Sequence, residues 1–162
     1  MPNLYVIYML RDPRDLIVSK HGRDPDKYWA GLRFWRTDTP YGRRLKDHPR
    51  VLTLRYEDFT REPDKTQEAI ARFMPFLRVK GPFSRFHEMA APDERTRLAL
   101  GKKRPIAPVS VGRWKQHLPR VAGQIQQHGS ITTDLIEYGY EQDASWEKIL
   151  EGVEPDLSPS HF

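Results

Sequence analysis

The sequence predicts an α/β domain built on a parallel sheet, and two segments carry that expectation. Leu4–Leu10 is an almost unbroken apolar run containing Tyr, Val and Ile, followed at once by Asp12-Pro13-Arg14-Asp15, the signature of a helix start. Arg50–Tyr56 is a second run of strand-forming residues, and Thr60-Arg61-Glu62-Pro63 after it opens another helix. A helical stretch over 27–46 separates the two. Strand, helical crossover, strand and helix is the order of a parallel α/β sheet.

Taken in order, Leu4–Leu10 is too short for a membrane span and suits a strand buried on both faces. Arg11 stands where that strand ends. Asp12 then serves as N-cap, Pro13 as the first helical residue, and Asp15 as the acid three positions after the cap. If the helix runs on, Ser19 lies about 10 Å along it on the face of Asp12, and Arg23 extends that flank beyond Gly22. Ligands gather at the carboxyl ends of parallel strands, and a helix start with guanidinium groups favours anions. The competing reading makes Arg11 and Asp15 a surface ion pair and Ser19 a small helix residue.

Between Lys27 and Lys46, Tyr28, Leu32 and Trp35 fall on one helical stripe with Trp29 beside it, which reads as a core-packing face; Pro40-Tyr41-Gly42 threatens to break or kink the helix. After the second strand, Glu57 and Asp58 look like a catalytic pair. Adjacent residues on a strand point apart, and the pair is discounted. Ala69, Ile70, Phe73 and Met74 mark the apolar face of the helix that begins at Thr60–Pro63. From Met74 to Pro108 prolines punctuate the chain, Phe83, Phe86 and Met89 suit a local apolar patch, and Lys102-Lys103-Arg104 is a cationic cluster in a loop. Leu118, Val121, Ala122 and Ile125 form a short amphipathic helix.

Three elements of this order resemble PAPS-dependent sulfotransferases, which use 3′-phosphoadenosine 5′-phosphosulfate. The first is RDPRDLIVS at Arg11–Ser19; the second is LRYEDFTREP around Tyr56; the third is VSVGRWK at Val109–Lys115. The third is closer to the bacterial and tyrosylprotein-type enzymes than to the cytosolic phenol type, whose Arg-Lys-Gly run is replaced here by Ala107-Pro108-Val109. The resemblance implies a parallel-sheet, P-loop-like fold. It implies that Arg11 and Ser19 hold the 3′-phosphate, with Arg23, Tyr56, Ser110, Val111, Gly112 and Arg113 as further nucleotide contacts. The cosubstrate would be PAPS, its product 3′-phosphoadenosine 5′-phosphate (PAP), and the acceptor a hydroxyl or amine. No GxxxxGK[ST], GxGxxG or Lys-Ser-Gly-Thr-like run is present to hold the 5′-phosphosulfate, and no catalytic base is identified. The chain therefore resembles the C-terminal two-thirds of the family, a fold incomplete at its N-terminus.

Composition bounds the alternatives. Of 162 residues, 27 are Lys or Arg and 22 are Asp or Glu, for a net charge of +5. The excess is uneven, because residues 134–162 hold eight acids and one lysine, Lys148. A partial sulfotransferase domain is thus expected over residues 1–142, with a fraying acidic tail over 143–162. A basic body suits an anionic partner. With no cysteine there are no disulfides or thiolate metal sites, and the six histidines show no metal-ligand spacing. No signal-like leader and no membrane-length run is present, which sets the expectation of a cytoplasmic chain. The alternatives to a sulfotransferase are a non-catalytic PAP-binding module and a basic domain for nucleic acid or glycan. For nucleic acid there is basic composition but no recognition motif.

Overall fold

The computed structural model describes residues 4–21, 24–100 and 103–162. It is α/β, with about half of the chain helical and a small two-stranded parallel sheet. The chain divides into two compact units: residues 1–11 with 41–109, and residues 12–40 with 110–162.

The first unit holds the parallel pair. β1 (Val6–Leu10) and β4 (Val51–Arg55) run in register from Val6 opposite Val51 to Leu10 opposite Arg55. The expectation of a strand buried on both faces fails. Ile7 and Met9 are 39% and 42% exposed, and in β1 only Leu10 is fully buried. A sheet of two strands has too little area to be sandwiched between helical layers, which is how longer parallel sheets are covered. Helices follow β4 directly as α3 (Tyr56–Arg61) and α4 (Pro63–Phe73), the latter with Pro63 at its start as the sequence predicts. Glu57 and Asp58 sit in the first turn of α3 and not on a strand, so the geometry used to discount them does not apply; Glu57 is buried. Tyr5 packs edge-on against Phe73, with ring centroids 5.5 Å apart. Beyond α4 come a 3-10 turn (Phe83–Arg85), α5 (Phe86–Met89) and α6 (Glu94–Leu100).

The second unit contains the main apolar core. α1 (Pro13–Ile17) begins as expected, with the Asp12 carboxylate accepting from the Arg14 amide at 2.9 Å, but it ends at Val18 after five residues. The chain then turns into an antiparallel ribbon, β2 (Lys20–His21) and β3 (Asp24–Tyr28). Ser19 consequently does not lie on a helix flank, and Arg23 falls outside the described residues. Part of the expected helix over 27–46 is strand, and α2 spans Leu32–Leu45, continuing through Pro40 without ending there. Leu32 and Trp35 are buried, as the core-packing reading requires, whereas Trp29 is 40% exposed. α7 (Leu118–His128) and α8 (Thr132–Glu137) complete the helices. Ile17, Val18, Leu32, Trp114, Val121, Ile131, Leu135 and Trp146 form one buried cluster.

Residues 143–162 do not fray. Trp146, in a 3-10 turn over Ala144–Leu150, is buried in the cluster and donates from its indole to Thr132 Oγ1 at 2.9 Å. The last residues strap across the unit. Asp156 N donates to the Pro119 carbonyl, His161 N to that of Tyr28, and Phe162 N to that of Trp29. Gly123 permits this approach, because a Cβ there would overlap the Asp156 carbonyl oxygen. Beneath the strap lies Arg120, 1% exposed, its guanidinium 4.0 Å from the Tyr28 ring centroid and donating to the carbonyls of Ile17 and Ser158 and to Ser160 Oγ. Its hydrogen bonds go to neutral acceptors, and burial lowers its pKa from the ordinary arginine value although the charge of nearby Asp156 acts the other way.

The Tyr28 hydroxyl donates to Asp156 Oδ2 at 2.8 Å. Burial and this carboxylate push the phenol up to about 12, because both disfavour the phenolate. The raised value means that the neutral phenol contributes stability fully below the ordinary phenol pKa and loses that contribution as pH rises through 12. In an ultraviolet titration of tyrosinate a step near 12 is expected, and Tyr28→Phe should remove it.

Candidate functional site

The residues the sequence singles out fall into two groups, one in each unit. In the first unit, Arg11 at the end of β1 lays its guanidinium 4.4 Å from the ring centroid of Tyr56, the first residue of α3. The parallel register explains the pairing, since Leu10 and Arg55 are opposite one another and Arg11 and Tyr56 are the next residues along. Tyr56 is thus faced by a guanidinium from its own unit.

In the second unit the organising group is the carboxylate of Asp15, 1% exposed. Its Oδ2 accepts from Gly112 N at 2.6 Å and its Oδ1 from Trp114 N at 2.9 Å. The backbone carbonyl of the same residue accepts from Ser19 Oγ at 2.9 Å. One residue of α1 therefore ties down both Ser19 and the turn that carries Ser110, Val111, Gly112 and Arg113. The sequence reading that places Asp15 on the surface fails, because its side chain is buried. Gly112 adopts φ 75°, the left-handed region that side chains disfavour, and a Cβ there would meet nothing within 4 Å. The glycine is thus required by the turn, and the backbone at that point is open.

From this turn a 3-10 helix over Arg113–Gln116 sends Trp114 inward and leaves Arg113 and Lys115 exposed. Arg113 has no acidic partner among the described residues. The Lys115 ammonium stands 5.7 Å from the Trp114 ring centroid. Ser19 and Ser110 are half-buried. The unit thus offers exposed cations and hydroxyl-bearing residues on backbone fixed by a buried carboxylate, a chemistry suited to a phosphate-type anion.

Arg14, which the sequence does not single out, organises the start of α1. Arg14 is 2% exposed, bonds Asp12 through Nε and Nη2, and donates to Glu141 at 2.5 Å. Its guanidinium sits 4.1 Å from the Trp114 centroid and 4.8 Å from that of Trp146, and the two indoles meet edge-to-face. Burial opposes its charge, but Asp12 and Glu141 outweigh burial and hold its pKa above the ordinary arginine value. The start of α1 is consequently capped and neutralised from within, and the helix-start anion site expected there is filled by Asp12. The available signal was the Asp-x-Arg spacing of Asp12 and Arg14, which suits an intra-turn pair. Glu141, more than a hundred residues away in sequence, gave none.

Val111 is half-buried. Of the basic cluster, Lys103 donates to the Ala90 carbonyl at 2.9 Å in the first unit, and Lys102 lies outside the described residues. Among the described residues no helix is long and apolar enough to cross a membrane, and no group of three or more potential metal-ligating side chains occurs.

Asp15→Ala leaves two amides without their buried acceptor, and the unfolding free energy should fall by about 3 kcal/mol. Urea titration followed by tryptophan fluorescence reads this loss, since Trp114 and Trp146 lie in the affected core. Compared with models of known protein families, with curated proteins and with solved structures, the chain matches none.

Proposed function

We propose that the chain is a nucleotide-holding portion of a sulfotransferase, binding 3′-phosphoadenosine 5′-phosphosulfate and its product through the 3′-phosphate. The observation that carries this reading is the double hold of Asp15 on Ser19 and on the 110–114 turn. The resemblance assigns both segments to one phosphate, although they are about ninety residues apart in sequence. A dianion placed at this turn would meet the charge of Arg113 and the unobstructed backbone at Gly112, and the Ser19 hydroxyl would donate to it on turning away from the Asp15 carbonyl. The resemblance adds Arg11 and Tyr56, both in the first unit, and Arg23, which lies outside the described residues.

In sulfuryl transfer an acceptor oxygen or nitrogen forms a bond to sulfur as the bond from sulfur to the nucleotide phosphate oxygen breaks. The acceptor proton passes to a base, and PAP leaves. Positioning and cationic stabilisation dominate such in-line transfers. The residues here would hold the leaving nucleotide. Neither a phosphosulfate loop nor a base is identified in this sequence, so the chain assayed alone should bind nucleotide without appreciable turnover.

Calorimetric titration distinguishes this reading from a general basic surface. PAP should bind at least tenfold more tightly than adenosine 5′-monophosphate, a difference of about 1.4 kcal/mol. Arg113→Ala should remove most of that preference without unfolding the chain, because the side chain is exposed. Equal affinity for the two nucleotides overturns the proposal.

A further inference from the structure

The first unit contains a cleft of about 360 Å³ between α4, the 77–82 segment and α5. Its volume lies in the range of small-molecule sites. Ile70, Leu77, Val79, Phe83, Phe86 and Met89 supply apolar walls, which include the three residues the sequence grouped as a local patch. The remaining lining includes Arg78 and Lys80 but no acid. Neither cation pairs with a carboxylate among the described residues.

The walls are tied in place by side chains outside the apolar surface. Gln67 donates to the Gly81 carbonyl at 2.7 Å and accepts from Phe83 N at 2.9 Å, locking the segment that carries Arg78 and Lys80 to α4. Asp64 accepts from both the amide and the hydroxyl of Ser84, and Lys103 holds the Ala90 carbonyl at the far end. Gly81 leaves room for Met89, whose terminal atoms a Cβ at 81 would overlap. Methionine adapts its shape to a ligand, and Arg and Lys stems lie along apolar surface while their heads stay wet.

We propose that this cleft binds a small amphiphilic anion: an apolar body seated among Ile70, Leu77, Val79, Phe83, Phe86 and Met89, with a carboxylate end facing Arg78 and Lys80. The charge pattern of the cleft favours the anion, because Arg78 and Lys80 line it and no acid does; Asp64 and Glu68 line only the adjoining depression that shares Lys80. None of its lining residues is assigned to the nucleotide, so the site stands or falls separately from the sulfotransferase reading.

Equilibrium dialysis of the whole chain with radiolabelled dodecanoate below its micelle threshold tests it. One saturable site is expected. Ala71→Trp, which fills the cleft, should abolish binding, and Arg78→Glu with Lys80→Glu should weaken it about tenfold. Dodecyltrimethylammonium should bind at least tenfold more weakly than dodecanoate. Both charge-reversed residues are exposed, so that variant keeps the test valid if the tryptophan variant fails to fold. Equal binding of cationic and anionic chains, several equivalent sites, or binding unchanged by either variant overturns the proposal. So does co-sedimentation with phosphatidylglycerol vesicles that survives Ala71→Trp, which would mark a membrane-facing surface.

Discussion

The second unit depends on the burial of two adjacent, oppositely charged side chains at the start of α1. Asp15 and Arg14 are both almost wholly shielded from water, a position that ionised groups tolerate only when their hydrogen-bonding capacity is met. Asp15 meets two backbone amides of the 112–114 turn. Arg14 meets Asp12, Glu141 and the faces of two tryptophans. Each bond reaches a different part of the chain, so five residues of helix fix the turn that follows Ser110, the segment before the terminal strap, and the start of their own helix. The indoles of Trp114 and Trp146 supply apolar area in the core and a π face for the cation between them.

The same economy explains why the exposed cations of the turn remain available. A buried acid that binds amides leaves Arg113 without an acidic partner on its own segment, while the equally basic Arg14 is consumed by structure. Arg120 shows a third arrangement, a buried guanidinium satisfied by carbonyls, a hydroxyl and the Tyr28 ring, which makes the terminal strap part of the unit. Sequence position near a strand end therefore does not separate a ligand-facing arginine from a structural one. Burial and the count of acceptors do.

Much of the element order was legible because it rests on local chemistry. The Asp12-Pro13 cap, the apolar run of β4, Pro63 at the start of α4 and the stripe of α7 each need only neighbours in sequence. What was illegible depends on distant partners. The early end of α1 follows no Gly or Pro at Val18, and the chain turns there into a ribbon. The extent of exposure of Ile7 and Met9 depends on how many strands the sheet has, which hydropathy does not encode. Acidic residues and prolines signal solvent in the strap, yet the backbone amides of 156, 161 and 162 find carbonyls on the body and Trp146 joins the core. Of the candidate site, the residue types and their spacing were visible; Asp15, whose carbonyl holds Ser19 and whose carboxylate holds the glycine turn, was visible only as a helix-start acid.

Amide hydrogen exchange resolved at single residues tests the carboxylate hold most directly. If Asp15 fixes the turn as described, the Gly112 and Trp114 amides exchange as slowly as those of Val121 and Leu135 in the buried cluster, and their protection is lost together with that of the core. Exchange of both amides at the rate of an open loop, with Val121 and Leu135 still protected, would contradict it.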